Sequence, residues 1–97
     1  MSAIGIIEVS GLTNGIQSLD IMLKTAQVEF VTYEKRLGGR LVTIVVKGDI
    51  GAVQASVESA VEQDTSLGNI VAHAVIPNPH GEVMKIIGMS ADKLQFK

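Results

Sequence analysis

Cysteine is absent from the 97-residue chain, and aromatic residues make up only 3% of it. Without cysteine the protein can form neither disulfide bonds nor thiolate metal sites. The few aromatic residues, Phe30, Tyr33 and Phe96, offer little surface on which nucleic-acid bases can stack. Hydrophobic residues nevertheless reach 46% of the chain. Most of them are Val, Ile, Leu and Ala, which suit close packing of helices on a sheet.

Basic charge and long apolar runs are also lacking. The formal net charge is −2, which argues against general nucleic-acid binding because such binding depends on neutralising phosphates. No apolar run approaches the length of a membrane span, and the N-terminus does not have the basic and apolar regions of a signal peptide. We therefore expect one cytoplasmic domain over residues 1–97, without a nucleic-acid or membrane partner.

The first half of the chain predicts a strand, a helix and two further strands. Ala3–Val9 is typical of a buried strand, and Ser10 stands where the N-cap of a helix is expected. Strands over Val28–Lys35 and Leu41–Lys47, joined by a short loop, predict an antiparallel hairpin. Between the first two strands, apolar residues recur at helical spacing. We expect these residues to form the core-facing stripe of the first helix, with Met22 widening it: Leu12, Ile16, Leu19, Leu23 and Ala26.

The second half begins with another helix. Asp49 is expected to cap it, and Leu67–Asn69 marks its end. Ile70–Ile76 predicts the fourth strand, which Pro77-Asn78-Pro79 stops because proline supplies no hydrogen-bond donor to a sheet. We expect these residues of the second helix to face the core: Ile50, Val53, Val57, Ala60 and Val61.

A short C-terminal helix is expected from about His80 to Ile87, with Gly88 ending it. Residues 3–87 would then form the core of the domain and residues 88–97 a short tail. The resulting order, β-α-β-β-α-β with a terminal helix, is the split pattern of ferredoxin-like folds. We therefore predict an α/β (α+β) domain in which helices pack on one face of an antiparallel sheet. Because the sheet is rich in Val and Ile, its other face should be covered by the terminal helix or by another subunit.

The loop from Arg36 to Arg40 is the most unusual stretch. Gly38-Gly39 lets the backbone take positive φ between two strands, and the two arginines place positive charge on either side. A backbone without side chains beside cations is a candidate for contact with anions. The simpler alternative is a tight hairpin turn with solvated arginines, which the residues alone favour because turn glycines are common.

Residues for catalysis or metal binding are poorly represented. His73 lies inside an apolar strand with no carboxylate at a telling spacing, so a structural strand residue is favoured over a general base. His80 follows the proline turn, with Glu82 two residues on, and suits an interface or a helix N-terminus rather than a metal site. Neither a phosphate-binding loop nor a dinucleotide-binding fingerprint is present. We expect neither an enzyme activity nor a cofactor or metal.

Several segments taken together resemble one known family. They are AIGIIEVSGL at the start, LDIMLKTAQV through the first helix, FVTYEK before the loop, LVTIVVKGDIGAVQAS after it and AHAVIPNPH near the end. In order and spacing, from about Ala3 to Ile87, they are similar to the hexamer-forming shell proteins of bacterial microcompartments. The resemblance implies a structural protein whose six copies form a flat hexagonal tile. Such tiles join edge to edge in the bacterial cytoplasm into a shell around enzymes.

The resemblance also implies which residues carry the function. In this family the loop between the second and third strands lines the central pore of the hexamer. The corresponding residues here are Leu37, Gly38 and Gly39, flanked by Arg36 and Arg40. One arginine per chain becomes a ring of positive charge in a hexamer, which favours small polar or anionic metabolites.

For contacts between hexamers, the resemblance implies Lys24 at the tile edge and an edge motif at Pro77-Asn78-Pro79-His80. The implied partners are identical copies, other shell proteins and the enclosed enzymes. Two features depart from the family pattern. The loop is one residue longer than the common Lys-Ile-Gly-Ser-Gly form, and Asn78 stands where arginine is often found. Asparagine cannot make the bidentate, charge-assisted contacts that arginine makes.

A second function, from another class, is a ferredoxin-like regulatory module that binds a small effector between subunits. A discrete small oligomer that never forms sheets would favour this alternative. Saturable binding of one metabolite would favour it further.

Overall fold

The computed structural model of the protein describes residues 2–64 and 68–94. Within these ranges it has four strands and three α-helices, in the order predicted from the sequence. Their bounds are β1 Ala3–Ser10, α1 Leu12–Thr25, β2 Glu29–Arg36, β3 Leu41–Gly48, α2 Ile50–Gln63, β4 Ile70–Ile76 and α3 Gly81–Lys93, and a 3-10 turn spans Leu37–Gly39.

The strands form one antiparallel sheet in the order β2-β3-β1-β4. This order confirms the predicted ferredoxin-like arrangement. It places β1 and β3 in the centre, which explains their nearly continuous Val and Ile content. Both edge strands contain a bulge, because the register shifts at Val31 in β2 and at Val71 in β4. Bulges of this kind disturb a strand edge and hinder its pairing with another chain.

The core lies between one face of the sheet and the helices α1 and α2. The sheet contributes alternate residues of the two central strands, Ile7, Val9, Val42, Ile44 and Val46. From α2, Val53, Val57 and Ala60 are buried against them as predicted. Ile50, which was also predicted to face the core, is 40% exposed.

The face that α1 turns to the core differs from the prediction. Its buried residues are Gly15, Ser18 and Met22, of which only Met22 was predicted to face the core. Three of the large apolar residues expected there are instead exposed, by 37% at Leu12, 57% at Ile16 and 43% at Leu23. Two others, Leu19 and Ala26, are half-buried.

The rotation of α1 follows from close contact through small residues. A Cβ atom built at Gly15 would lie 3.4 Å from side-chain atoms of both Val42 and Ile44, so the helix backbone rests almost directly on β3. The buried Ser56 hydroxyl of α2 donates a hydrogen bond to the carbonyl oxygen of Met22, at 3.0 Å, and ties the two helices together. Small residues therefore determine the orientation of α1, and its large apolar residues remain available for other contacts.

The helix ends also show differences. Ser10 still pairs with β3 as the last residue of β1, so the N-cap of α1 is Gly11, at φ 91°. Asp49 occupies the N-cap of α2 as predicted, although its side chain makes no capping hydrogen bond. Helix α2 ends at Gln63, and Leu67, where its end was predicted, lies outside the described residues.

Helix α3 is longer than predicted. It passes through Gly88 and ends at Lys93. The prediction of a stop was wrong because Gly88 does not take the positive φ that a glycine C-cap requires. Residues 88–93 therefore belong to the helix and not to a tail, and residues 95–97 lie outside the described residues.

The second face of the sheet is covered only in part. Helix α3 packs there against β2. None of the residues of α3, all of which are described, is buried. Ala72 and Ala74 of β4 remain exposed on this face. The terminal helix thus provides part of the predicted cover.

Candidate pore loop and assembly edge

The loop between β2 and β3 has an unusual backbone. Three consecutive residues have positive φ: 54° at Leu37, 67° at Gly38 and 90° at Gly39. The glycines were expected to allow this conformation, but in Leu37 it is disfavoured by about 1–2 kcal/mol. The Leu37 side chain is 72% exposed. Packing against the described residues therefore contributes little to holding Leu37 in this unfavourable conformation.

Hydrogen bonds hold the base of this loop. The backbone N–H of Gly11 donates to the carbonyl oxygen of Arg40 at 2.8 Å, which fixes the loop to the junction between β1 and α1. The Arg40 N–H donates to the carbonyl oxygen of Leu37, at 3.4 Å, and closes the turn. A Cβ atom built at Gly38 would meet no atom within 4 Å. The loop is thus fastened at its base and open at its tip.

The structure brings all five predicted pore residues into this one loop. Arg36 is the last residue of β2 and Arg40 directly precedes β3, so the two side chains flank the exposed turn. Both are exposed. A single chain offers two cations beside an exposed turn at one end of its sheet. Such groups suit an anion, but one loop surrounds nothing by itself.

The predicted edge residue Lys24 lies in the last turn of α1. Its Nζ is 2.9 Å from a carboxylate oxygen of Asp20, one helical turn earlier. The two side chains are 76% and 58% exposed, so this pair contributes little to stability.

The other predicted edge residues lie where β4 turns into α3. Asn78 has φ 50°, a left-handed conformation that asparagine tolerates better than most residues. His80 is the N-cap of α3, and its Nδ1 accepts a hydrogen bond from the backbone N–H of Glu82 at 3.0 Å. The expected contact of His80 with a helix N-terminus is therefore present, and Asn78 shapes the turn that leads to it.

Strand register places the loop and these edge residues at opposite ends of the sheet. At one end, Arg36 and Ser10 both pair with Leu41, beside the loop. At the other end, Ile4 pairs with Ile76, directly before the proline turn. Helix α1 starts after Ser10 and runs back along the sheet, so its last turn, with Lys24, also lies far from the loop. Lys24 precedes β2 and the proline turn follows β4, so they belong to opposite edges of the sheet.

An apolar concavity between α1 and the edge strand β2 was not predicted. It has a volume of about 250 Å³. Its lining residues are Leu12, Ile16, Leu19, Phe30, Tyr33, Val42 and Ile44. The rings of Phe30 and Tyr33, 6.5 Å apart, form part of its wall. The signal for this surface was the apolar stripe of α1, which was interpreted as core.

A polar cluster under α3 was also missed. The Ser90 hydroxyl of α3 donates to the Glu34 carboxylate of β2 and is 2.8 Å from the Thr32 hydroxyl, while Lys93 Nζ lies 3.7 Å from Glu34. The Ser90 hydrogen bond, followed by the charges of Lys93 and Arg36, lowers the pKa of Glu34 despite partial desolvation. The sequence held no periodic signal for this cluster, because its members are about sixty residues apart in the chain.

Among residues 2–64 and 68–94, no group of three or more His, Cys, Asp or Glu side chains is arranged to hold a metal ion. Among the described helices, none has both the length and the apolar character needed to cross a membrane.

Known proteins are similar to this chain over most of its length. The family model for the BMC domain matches residues 3–79. The shell protein PduA of Citrobacter freundii microcompartments is 44% identical over 85 residues, which cover 88% of this chain and 90% of that protein. The microcompartment shell protein EutM of Escherichia coli K12 is 37% identical over 94 residues, covering 95% and 96% of the two chains.

Two further matches extend the comparison. The carboxysome shell protein CsoS1A of Hydrogenovibrio crunogenus is 39% identical over 88 residues, covering 90% of this chain and 91% of that protein. A crystal structure of a microcompartment protein from Desulfitobacterium hafniense superposes with a TM-score of 0.78 at 30% identity. The superposition covers 93% of this chain and 48% of the other, so this chain spans about half of that protein.

Proposed function

Because the chain belongs to the BMC-domain family of bacterial microcompartment shell proteins, we propose that its copies form cyclic hexamers that tile into a shell layer. The coarser role follows from the family itself: the protein is a structural component of a microcompartment shell and not an enzyme. The finer proposal concerns how one chain builds a tile and what the tile lets through.

The loop from Arg36 to Arg40 lines a pore at the centre of the hexamer. The observation that carries this proposal is the exposed left-handed turn of Leu37, Gly38 and Gly39, fastened at its base and open at its tip. A turn without bulky packing lets six backbones converge around an axis, with their N–H groups available to a passing solute. Two arginines per chain make the ring strongly positive, so small anionic or polar metabolites pass through it.

The opposite end of the sheet forms the outer rim of the tile. Lys24, Asn78 and His80 lie there, on exposed surface and away from the loop. Contacts at this rim join neighbouring hexamers of this protein and those of other shell proteins around the enclosed enzymes. Asn78 provides amide hydrogen bonds in place of a cation, and the lysine supplies the positive charge.

Native mass spectrometry combined with electron microscopy of concentrated protein tests the assembly. We expect a hexamer as the main species and flat sheets or tubes of six-fold particles at high concentration. A monodisperse dimer or trimer that never forms sheets would contradict the proposal. If that small oligomer also bound one metabolite saturably, it would be a regulatory module.

Charge reversal at the loop tests the pore. Arg40→Glu replaces a ring of six positive charges by six negative ones, so entry of a small anion into assembled shells should fall by roughly tenfold or more. Lys85→Glu makes the same change of charge on the exposed surface of α3 and should leave anion entry unchanged. Equal anion entry into Arg40→Glu and wild-type shells would refute the pore assignment.

A further inference from the structure

We propose that each subunit of the ring presents its β4 edge, with Val71 foremost, to the apolar concavity beside β2 of the next subunit, and that Lys35 and Glu62 pair across this contact. The inference rests on the cyclic assembly proposed above. It adds the two surfaces that meet and the charge pair that selects their alignment.

The receiving surface is the concavity between α1 and β2. All of its lining residues are apolar or aromatic, and several are exposed within one chain: Leu12 by 37%, Ile16 by 57% and Phe30 by 41%. Exposed apolar residues that line one concavity are typical of a protein interface rather than of a free surface. The concavity lies between α1 and the edge strand β2, so an occupant can reach it from the side of the sheet.

The inserted surface lies on the opposite edge. Val71 is 57% exposed and is the bulged residue of β4. Beside it, a groove between α2 and β4 is lined by Val57, Val61, Val75 and His73, with acidic residues of α2 along its margin. This edge is therefore apolar in the middle and negatively charged at the side of α2.

These two surfaces differ, so contact between them is head to tail. Such a contact repeats around an axis and closes into a ring when the rotation allows it. Pairing of strands across the contact is hindered, because both edge strands are bulged, at Val31 and at Val71. The two subunits must therefore meet through side chains, which requires a receiving concavity and a protruding residue.

Strand register shows which residues face one another. Lys35 pairs with Val42, Val42 with Val9, and Val9 with Ile70, so Lys35 and Ile70 lie at the same level on opposite edges of the sheet. The proposed pore places the ring axis beyond the loop end of the sheet. Rotation about this axis carries each residue to the next subunit at an unchanged distance from the axis. Lys35 of one subunit therefore meets the neighbourhood of Ile70 and Val71 of the next.

The charges at this level are complementary. Lys35 is exposed. It lies on the face covered by α1 and α2, because it pairs with the core residue Val42. Glu62 is exposed in the last turn of α2, two residues before Asp64. The Asp64 carboxylate accepts a hydrogen bond from the Ile70 N–H at 2.9 Å, which fixes this end of α2 at the level of Ile70. A lysine on one edge and a glutamate on the other thus come to equal distance from the axis.

Two sets of variants test the contact. Native mass spectrometry of a dilution series measures the protein concentration at which half of the ring has dissociated. Val71→Glu buries a charge in the concavity and should raise the concentration of half-dissociation at least tenfold. Lys35→Glu and Glu62→Lys should each raise it by roughly fivefold, and the double variant should return it close to the wild-type value. Val83→Glu and Lys85→Glu, on the exposed surface of α3, are matched controls and should leave it unchanged.

The possible outcomes separate this inference from the proposed function. A wild-type protein that forms no ring overturns both. A wild-type ring that Val71→Glu leaves intact, or charge reversals that the double variant fails to restore, overturns only the contact proposed here. Lys35 and Glu62 are both exposed in the single chain, so reversing their charges does not disturb the packing of the core.

Discussion

The helices on the two faces of the sheet are held there by different interactions. On the face covered by α1 and α2, alternate residues of β1 and β3 are fully buried, and a Cβ atom at Gly5 would lie only 2.8 Å from the Val57 side chain. On the face covered by α3, Ile4 and Val45 of the sheet are also buried, but no residue of that helix is. Hydrogen bonds from Ser90 to Glu34 and Thr32 add a polar contribution to the contact between α3 and β2. The comparison indicates that α1 and α2 contribute more buried side chains to the folding free energy than α3 does.

The largest expected effect is on the free energy of unfolding. It distinguishes an isoleucine buried in the core from an isoleucine exposed on α3. Ile7→Ala empties fully buried volume at the centre of β1 and should lower the free energy of unfolding by about 3–4 kcal/mol. Ile86→Ala removes a side chain that is 69% exposed on α3 and should lower it by less than about 0.5 kcal/mol. Urea denaturation at equal protein concentration measures both. Equal losses would mean that the exposed surface of α3 contributes as much to stability as the core does.

A smaller effect is expected from adding a methyl group to a glycine of α3. Gly88 is inside the helix, and a Cβ atom there would meet nothing within 4 Å. Gly88→Ala should therefore stabilise α3 by about 0.5–1 kcal/mol, measured as slower amide hydrogen exchange in this helix. Gly38→Ala also has open space, but its φ of 67° disfavours alanine, so this control should destabilise the loop. A stabilising Gly38→Ala would contradict this explanation.

The smallest effect concerns acid. The pKa of Glu34 is lowered in the folded protein, chiefly by the Ser90 hydrogen bond. The stability from this contact is therefore present above the ordinary glutamate pKa and is lost as the pH falls through the lowered value. Because the Glu34 side chain is 34% exposed, solvent screening limits the effect. Exchange in α3, corrected for the intrinsic rate, should rise by up to about twofold on acidification.

The sheet provides the internal reference for that measurement, because exchange in β1 should not change over the same pH range. Glu34→Gln removes the titrating group and should abolish the pH dependence of α3. Persistence of the full pH dependence in Glu34→Gln would assign it to another group. Glu82→Gln, which alters an exposed acid at the start of α3, is the matched control.

The order of strands and helices could be predicted because periodicity and turn residues report local structure. The wrong face of α1 shows where this reasoning fails. A stripe such as Leu12, Ile16 and Leu23 indicates burial, but periodicity does not say whether the burying surface belongs to the same chain. Gly15, whose lack of a side chain determines the orientation of α1, carries no hydrophobic signal.

The site residues show the same limit. Gly38-Gly39 predicted positive φ in the loop, but the left-handed Leu37 could not be predicted from a residue type that disfavours it. Gly88 was interpreted as a helix stop, whereas a glycine ends a helix only where the chain turns into the left-handed region. The contact of Ser90 with Glu34 depends on how α3 packs across the sheet, which local patterns do not encode.

The loop and the outer rim are separated by the length of the strands. Eight residues of β2 span about 25 Å, so substitutions in the loop do not reach the residues proposed to join tiles. Under the proposed assignment of the loop to the pore and of the opposite end to the rim, permeability and tiling can evolve as separate traits. A bacterium that carries several copies of such a gene can diversify the loop in each copy and still build one continuous, mosaic shell, whose overall selectivity changes with the proportion in which the copies are expressed.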